Sequence, residues 1–127
     1  MNVYSFEKLD VWERASSLSK EIYIITNSCF PVSQRYGLSS QLQRAAISVS
    51  SNIAEGTSRN SFKEQCRFTN IAYGSLMEVL SQLKIVYDLE YIDEIKYTEL
   101  RNLIDIISIS LCKLRNYQQH QFKLLNS

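Results

Sequence analysis

Apolar residues recur at alternating spacings of four and three in four separate segments of this chain, and this pattern restricts the possible folds most strongly. A 4-3 spacing lines side chains along one stripe of an α-helix, so each segment predicts an amphipathic helix with one face toward a core. The longest row is Phe62, Cys66, Thr69, Tyr73, Leu76, Leu80, Leu83 and Tyr87, and a second row on that segment is Phe68, Ala72, Val79 and Val86.

Three further segments carry shorter apolar rows. They are Val11, Ala15, Leu18, Ile22 and Ile25, then Leu38, Leu42, Ala45, Val49 and Ile53, then Leu100, Ile104, Ile107, Leu111 and Leu114. Fairly short links separate the segments, and the first link contains the only proline, Pro31. Four such helices predict an all-α fold, an antiparallel up-down-up-down four-helix bundle. The length suits one domain with a substantial core, so we expect a single domain over residues 1–127.

Polar residues near the ends of these segments predict where the helices start. Ser39 or Ser40 can cap the second helix, since both precede its apolar row closely. Ser61 begins a sequence with the form of a capping box at the start of the third helix. Asp93 or Thr98 can cap the last helix.

Two glycines and the end of the last segment carry further predictions. Gly56 is expected to stop the second helix in a left-handed conformation. Gly74 lies inside the third helix at a cost of about 1 kcal/mol, which predicts a close approach of its backbone to residues 45–48 of the second helix. The polar tail from Gln118 onward is expected to fray.

A row of polar side chains runs along the second predicted helix, roughly 110° around the helix axis from its apolar row. It carries small polar side chains beside alanines, whereas a solvated face usually carries long lysines and glutamates. Such a row predicts a partly buried helix contact in which each polar group needs a partner. We expect Arg44 to pair with Glu78 of the third helix, or to share a network with other members of the row. That row is Gln41, Arg44, Ser48, Asn52 and Glu55.

The charged residues are distributed unevenly along the chain. The net charge of +1 gives no global reason to expect binding to nucleic acid or membrane. Residues 35–67, however, hold five basic and two acidic residues, residues 68–105 hold three basic and seven acidic residues, and residues 106–127 hold three basic and no acidic residues. Partner preference therefore depends on how the fold distributes these charges.

The cysteines and the hydropathy pattern predict the cellular compartment. Cys29, Cys66 and Cys112 are odd in number and far apart, which is typical of reduced thiols in an intracellular protein. The first ten residues contain no apolar signal core, and nowhere do about 18 apolar residues run together. We expect a cytoplasmic protein that does not enter the membrane.

Motifs for catalysis or metal binding are absent from the sequence. A di-iron site in a helix bundle needs Glu-x-x-His pairs, and the single histidine, His120, follows Tyr117 at that spacing. The scattered cysteines do not have zinc-ligand spacing. Ser48, Ser50 and Ser51 have no histidine nearby in sequence and are expected to pack helices. The expectation is a protein that is not an enzyme and needs no metal or cofactor.

Residues 41–59 carry the pattern QxxRAAxSxxxNIAEGxxR. This pattern resembles the signature of the bacterial four-helix bundle proteins named after the 23S rRNA intervening sequence. Other stretches match the same family: FExLxVW in residues 6–12, Pro31 with YGL in residues 36–38, and GSLxE in residues 74–78. The resemblance covers nearly the whole chain.

This resemblance implies a four-helix bundle that assembles as a ring-like homopentamer. It also implies kinship to the accessory protein of diversity-generating retroelements, which binds a reverse transcriptase and nucleic acid. It implies no established biochemical activity. The number five follows from the family resemblance alone.

Two functions are compatible with these features. The first is a non-enzymatic protein that binds RNA or DNA through Arg35, Arg59, Lys63 and Arg67, which we expect to cluster around the turn between the second and third helices. The alternative is a protein-interaction scaffold without nucleic-acid binding. In that case the basic turn is solvated, and its arginines pair with acidic groups of a neighbouring subunit.

The chain also has more apolar residues than four rows need. Monomers seldom expose large contiguous apolar patches, so the surplus predicts a closed homo-oligomer with a heterologous ring contact. Trp12, beside the first apolar row, is expected to anchor the core or a subunit contact. The surplus residues are Tyr4, Phe6, Ile47, Ile85, Ile106 and Ile109.

Overall fold

Four α-helices make up most of the computed structural model, which describes residues 1–125. The helices are α1 (Asp10–Ser28), α2 (Leu38–Thr57), α3 (Phe62–Asp88) and α4 (Glu94–Leu125), and 3₁₀ turns at Ser5–Lys8 and Val32–Gln34 precede α1 and α2. Residues 1–125 contain no β-strand. The predicted all-α class is therefore confirmed.

The helices pack in the order in which they occur along the chain. Each one contacts its neighbour in sequence, and α1 also contacts α4, so that the four form a closed square. Within the described chain the diagonal pairs, α1 with α3 and α2 with α4, make no backbone contact. Because short connections join successive helices, neighbours run antiparallel, and the predicted up-down-up-down four-helix bundle is confirmed.

The apolar rows of the sequence form the core. The α1 row is buried throughout, and the α2 and α4 rows are buried except for half-buried Leu38 and Leu114. On α3 the buried face lies between the two rows, because this helix packs against α2 on one side and α4 on the other. The buried α3 residues from these rows are Thr69, Ala72, Leu76, Val79, Leu83 and Val86.

Two of the three predicted helix N-caps are confirmed. Ser61 Oγ accepts a hydrogen bond of 3.1 Å from the Glu64 amide, and Asp93 Oδ1 accepts one of 2.8 Å from the Lys96 amide. The predicted serine cap of α2 is wrong. That helix already begins at Leu38, and its N-cap, Gly37, makes no side-chain capping bond.

The roles predicted for the two glycines are both wrong. Gly56 lies inside α2 with negative φ, so the predicted left-handed stop is wrong. A Cβ on Gly56 would lie 3.1 Å from Phe68 Cβ, whereas a Cβ on Gly74 would meet nothing within 4 Å. The close backbone approach predicted for Gly74 is therefore found at Gly56. Among residues 1–125 only Glu90, with φ of 62°, is a left-handed residue other than glycine.

The prediction that the tail frays from Gln118 is wrong as far as Leu125. α4 continues to that residue. Gln118 is buried, and its Oε1 accepts a hydrogen bond of 2.7 Å from Thr69 Oγ1. The part of the prediction that concerns residues 126 and 127 falls outside the described residues.

The residues predicted to be surplus to the core lie mostly on the surface. Tyr4, Ile47, Ile85, Ile106 and Ile109 are exposed. Phe6 is instead half-buried and stacks edge-on against Trp12, with 4.9 Å between the ring centroids. Trp12 is half-buried against the core, as expected of a packing residue.

Candidate nucleic-acid interface

One end of the bundle brings together basic residues from three helices. Arg59 follows the C-terminus of α2, Lys63 and Arg67 lie in the first turns of α3, and Lys123 lies in the last turn of α4. In an antiparallel bundle these three helix ends meet at the same side. We call this region the basic end, defined by Arg59, Lys63, Arg67 and Lys123.

Arg35 does not belong to the basic end, so its predicted place in the cluster is wrong. It follows the 3₁₀ turn before α2, whereas Arg59 follows α2. The 20 residues of α2 separate them, a distance of about 30 Å at 1.5 Å per residue. Arg35 lies over Tyr36 at the opposite end, 5.7 Å from the ring centroid.

Two arginines of the basic end share one aromatic ring. The guanidinium carbons of Arg59 and Arg67 lie 4.6 and 5.4 Å from the centroid of Phe68. Each arginine also forms an exposed ion pair, Arg59 with Glu55 at 2.7 Å and Arg67 with Glu64 at 3.2 Å. The arrangement orients both guanidinium groups and neutralises part of their charge.

A groove of about 730 Å³ lies between the start of α3 and the end of α4 at this end. Lys63, Arg67 and Lys123 line it together with a single carboxylate, Glu64. Ammonium and guanidinium groups around an open groove are suitable donors to phosphate oxygens. The other lining residues are Cys66, Asn70, Ile71, Gln119 and Phe122.

The predicted nucleic-acid contacts did not include the basic residues of α4. Lys123 lines the groove, and Arg115 lies beside α3, where it donates a hydrogen bond of 3.3 Å to Asn70 Oδ1 and stands 5.4 Å from the Tyr73 centroid. The signal was present, because residues 106–127 carry three basic residues and no acidic one. The predicted topology already places the end of α4 beside the start of α3.

The predicted polar network forms only in part. Ser48 Oγ of α2 lies 2.7 Å from Ser75 Oγ of α3, and Asn52 Nδ2 donates to the Ser48 carbonyl at 2.8 Å and to Ser48 Oγ at 3.0 Å. These half-buried groups link α2 to α3. Glu55 instead pairs with Arg59 at the end of the helix.

The expected pair between Arg44 and Glu78 is not formed, and that prediction is wrong within one subunit. Both residues are exposed, and Glu78 accepts a bond of 3.4 Å from Gln82 Nε2 on its own helix. Gln41 is also exposed. An exposed pair gains little over hydration of its two charges, so nothing compels these side chains to meet.

Two pKa shifts occur near the opposite end. A hydrogen bond to Glu99 is the main reason that the pKa of Lys96 is raised above 10.5, and the Glu99 and Glu21 charges add to it. The pKa of Arg101 is raised chiefly by its hydrogen bond to Tyr97. Both shifts favour the cationic forms, which these residues already adopt at neutral pH.

Two further findings concern metals and membranes. Within the described part of the chain, no three His, Cys, Asp or Glu side chains are placed together as a metal site. None of the helices in that part has the length and apolarity needed to cross a membrane.

Comparison with known proteins identifies a family and a similar structure. The family model described as 23S rRNA-intervening sequence protein matches residues 7–113. A crystal structure of a protein of unknown function from the S23 ribosomal protein family of Bacteroides thetaiotaomicron has a TM-score of 0.77 to this chain, at 21% identity. The match covers 83% of this chain and 97% of that one, and it shows a shared fold. No curated protein matches the chain.

Proposed function

This chain belongs to the 23S rRNA-intervening sequence protein family, and we propose that it is a non-enzymatic, oligomeric protein that binds RNA or DNA through its basic end. The family description names an rRNA but states no activity. The proposal therefore rests on the charges of this chain.

The observation that carries the proposal is the groove between α3 and α4. Lys63 and Arg67 lie on its α3 side and Lys123 on its α4 side, with Glu64 as the one acidic residue. Phosphate contacts supply most of the sequence-independent affinity for nucleic acid. A local cluster of cations can supply them although the whole chain carries only +1, because the field near a surface depends on the nearest charges.

The ion pairs of the basic end are compatible with phosphate binding. Arg67 pairs with Glu64, and Arg59 pairs with Glu55, in exposed contacts. Such pairs contribute about 0–1 kcal/mol to stability, so a phosphate can replace the carboxylate as the partner of an arginine at little cost. Guanidinium groups also bind phosphate through two parallel hydrogen bonds.

Assembly would strengthen this binding. In a homopentameric ring, as the family resemblance implies, the basic end would be repeated around the axis as a collar. Several copies that engage one strand gain avidity without any new type of contact. We propose that the protein acts in the cytoplasm and that this binding requires no cofactor.

The test is a salt titration of binding to fluorescently labelled random-sequence RNA and DNA, in which fluorescence anisotropy measures the bound fraction. Phosphate contacts predict affinity that falls linearly with the logarithm of salt concentration between about 50 and 200 mM, with a slope set by the number of contacts. Absence of binding to both probes at about 50 mM salt would overturn the proposal.

A protein-interaction scaffold is the second candidate function. It is favoured by the acidic partners that Arg59 and Arg67 already have and by the exposed isoleucines of α3 and α4. Light scattering coupled to size exclusion, performed beside the titration, separates the two. An assembled protein that binds neither probe favours the scaffold.

A further inference from the structure

A cleft lies between the C-terminus of α1 and the N-terminus of α2, at the end of the bundle opposite the basic end. Its volume is about 520 Å³, and small-molecule sites usually have about 300–1,000 Å³. We call it the α1/α2 cleft. The residues that define it are Tyr23 and Thr26 of α1, Arg35 and Tyr36 of the link between the helices, and Ser39 and Ser40 of α2.

The first turn of α2 presents backbone amides without acceptors. The amides of Leu38, Ser39 and Ser40 have no intrahelical acceptor at this position of a helix, and within residues 1–125 no turn hydrogen bond engages them. The N-cap, Gly37, has no side chain that could cap them. The amides at the positive end of a helix are suitable donors to phosphate oxygens.

Ser39 adds a buried hydroxyl that has no partner. This residue is only 5% exposed and lines the cleft. Among the described residues its side chain forms no hydrogen bond, which is costly for a buried hydroxyl. An acceptor bound in the cleft would satisfy it. The other buried serines and threonines of the described chain each donate a hydrogen bond, and they are Ser19, Thr26, Ser50 and Thr69.

Arg35 gives the cleft a positive charge that no carboxylate neutralises. Its guanidinium forms no ion pair within the described chain. Among the described residues that line the cleft, none is acidic. The arginines of the basic end, Arg59 and Arg67, both have glutamate partners. An anion that binds Arg35 therefore displaces no protein partner.

Two tyrosine rings form the apolar part of the α1/α2 cleft. Tyr36 is 89% exposed and Tyr23 is 42% exposed. Nucleobases stack on exposed aromatic rings, and every base has a flat face that can do so. Gln43 Nε2 of α2 donates a 2.8 Å hydrogen bond to Thr26 Oγ1 of α1, which joins the two walls of the cleft. The cleft thus combines phosphate donors with surfaces for a planar ring.

We propose that the α1/α2 cleft binds a 5′-mononucleotide. The phosphate accepts hydrogen bonds from the amides of Ser39 and Ser40, from the Ser39 hydroxyl and from the Arg35 guanidinium. The base stacks on Tyr36. This inference goes beyond the proposed function, because the cleft and the basic end lie at opposite ends of α2 and mononucleotide binding requires neither nucleic acid nor assembly.

The test is equilibrium dialysis with radiolabelled adenosine 5′-monophosphate. Ser39→Ala and Arg35→Gln should each raise the dissociation constant about 10-fold or more, since each removes a hydrogen bond to a charged group. Two control variants should leave it unchanged. Ser33→Ala removes an exposed hydroxyl of the same link, and Lys63→Gln removes an exposed cation of the basic end. Circular dichroism checks that each variant keeps its helices.

Unlabelled competitors test the two halves of the ligand. Adenosine lacks the phosphate and ribose 5-phosphate lacks the base, so each should compete at least about 10-fold more weakly than adenosine 5′-monophosphate. Equal competition by either compound would overturn the mononucleotide assignment.

The remaining outcomes separate this inference from the proposed function. No binding of adenosine 5′-monophosphate at about 1 mM would overturn the site. Binding that Lys63→Gln weakens and Arg35→Gln does not would place the nucleotide at the basic end, which also overturns it. Neither outcome bears on the salt titration with RNA and DNA, and a failed titration leaves the dialysis result unchanged.

Discussion

Thr69 Oγ1 of α3 donates a 2.7 Å hydrogen bond to Gln118 Oε1 of α4, and both residues are buried in the interface near the basic end. Thr69→Val removes the donor with little change in shape and leaves the amide oxygen unsatisfied. We expect the free energy of unfolding to fall by about 1–3 kcal/mol, measured by urea denaturation.

A double variant provides the control for this prediction. Replacing both partners by apolar groups, as in Thr69→Val with Gln118→Leu, strands no polar atom and should recover part of the lost stability. If Thr69→Val alone were as stable as the wild type, the hydrogen bond would contribute nothing to the fold.

Alanine substitutions at two glycines should have opposite effects on the stability of the protein. In Gly56→Ala the new Cβ would lie only 3.1 Å from Phe68 Cβ. Because Phe68 Cβ is attached directly to the α3 backbone, the two helices must move apart. Overpacking of this kind costs about 1–3 kcal/mol and exceeds the gain in helix propensity. Gly74→Ala meets nothing and should stabilise the isolated subunit by up to about 1 kcal/mol.

Thermal unfolding at concentrations too low for assembly measures both variants. Equal destabilisation by the two substitutions would contradict the assignment of the close helix approach to Gly56.

The glycine comparison illustrates what the sequence could predict about the fold. Apolar periodicity identified the helices, the bundle and the buried rows of α1, α2 and α4, whereas the buried face of α3 lies between its two rows. The same spacing cannot tell which glycine faces a neighbouring helix. Gly56 faces Phe68 because α2 and α3 converge at their shared turn, and that convergence is a property of the packed pair.

The candidate site was predictable only in part. Arg59, Lys63 and Arg67 are close in sequence and close in space, since one short turn joins α2 to α3. Arg35 was grouped with them by sequence position, although a whole helix intervenes. Lys123 is far away in sequence and comes to the groove only through the antiparallel packing of α3 and α4.

Trp12 emission should report the packing of the N-terminal 3₁₀ turn. The indole is half-buried and contacts Phe6 edge-on, so its native fluorescence should be blue-shifted and move to longer wavelengths on unfolding. Phe6→Ala should shift the native emission toward red. Tyr4→Ala removes an exposed ring and should leave it unchanged. Native emission typical of water-exposed tryptophan would contradict this packing.

Lys96 should contribute to stability only while it is charged. It lies 3.2 Å from Glu99 and 3.6 Å from Glu21, and its pKa is raised above 10.5 in the folded protein. A raised folded pKa stabilises fully below the unfolded pKa, and the contribution is lost as pH rises through the folded value. The melting temperature of wild type should exceed that of Lys96→Met slightly at about pH 8 and converge with it above about pH 11. A difference that persists at high pH would show that the aliphatic stem, and not the charge, is responsible.

The last prediction locates the phosphate contacts. If the basic end binds nucleic acid, Lys63→Gln and Lys123→Gln should each weaken binding to random RNA and DNA alike and reduce the magnitude of the salt slope by about 0.7–0.9, since each removes one phosphate contact. Arg35→Gln removes the same unit charge about 30 Å away, beyond the Debye length of about 8–10 Å, and should change neither quantity. Circular dichroism checks that the exposed substitutions leave the fold intact. An equal loss in Arg35→Gln would indicate binding that is spread over the surface, because only a localised interface can distinguish cations at the two ends of α2.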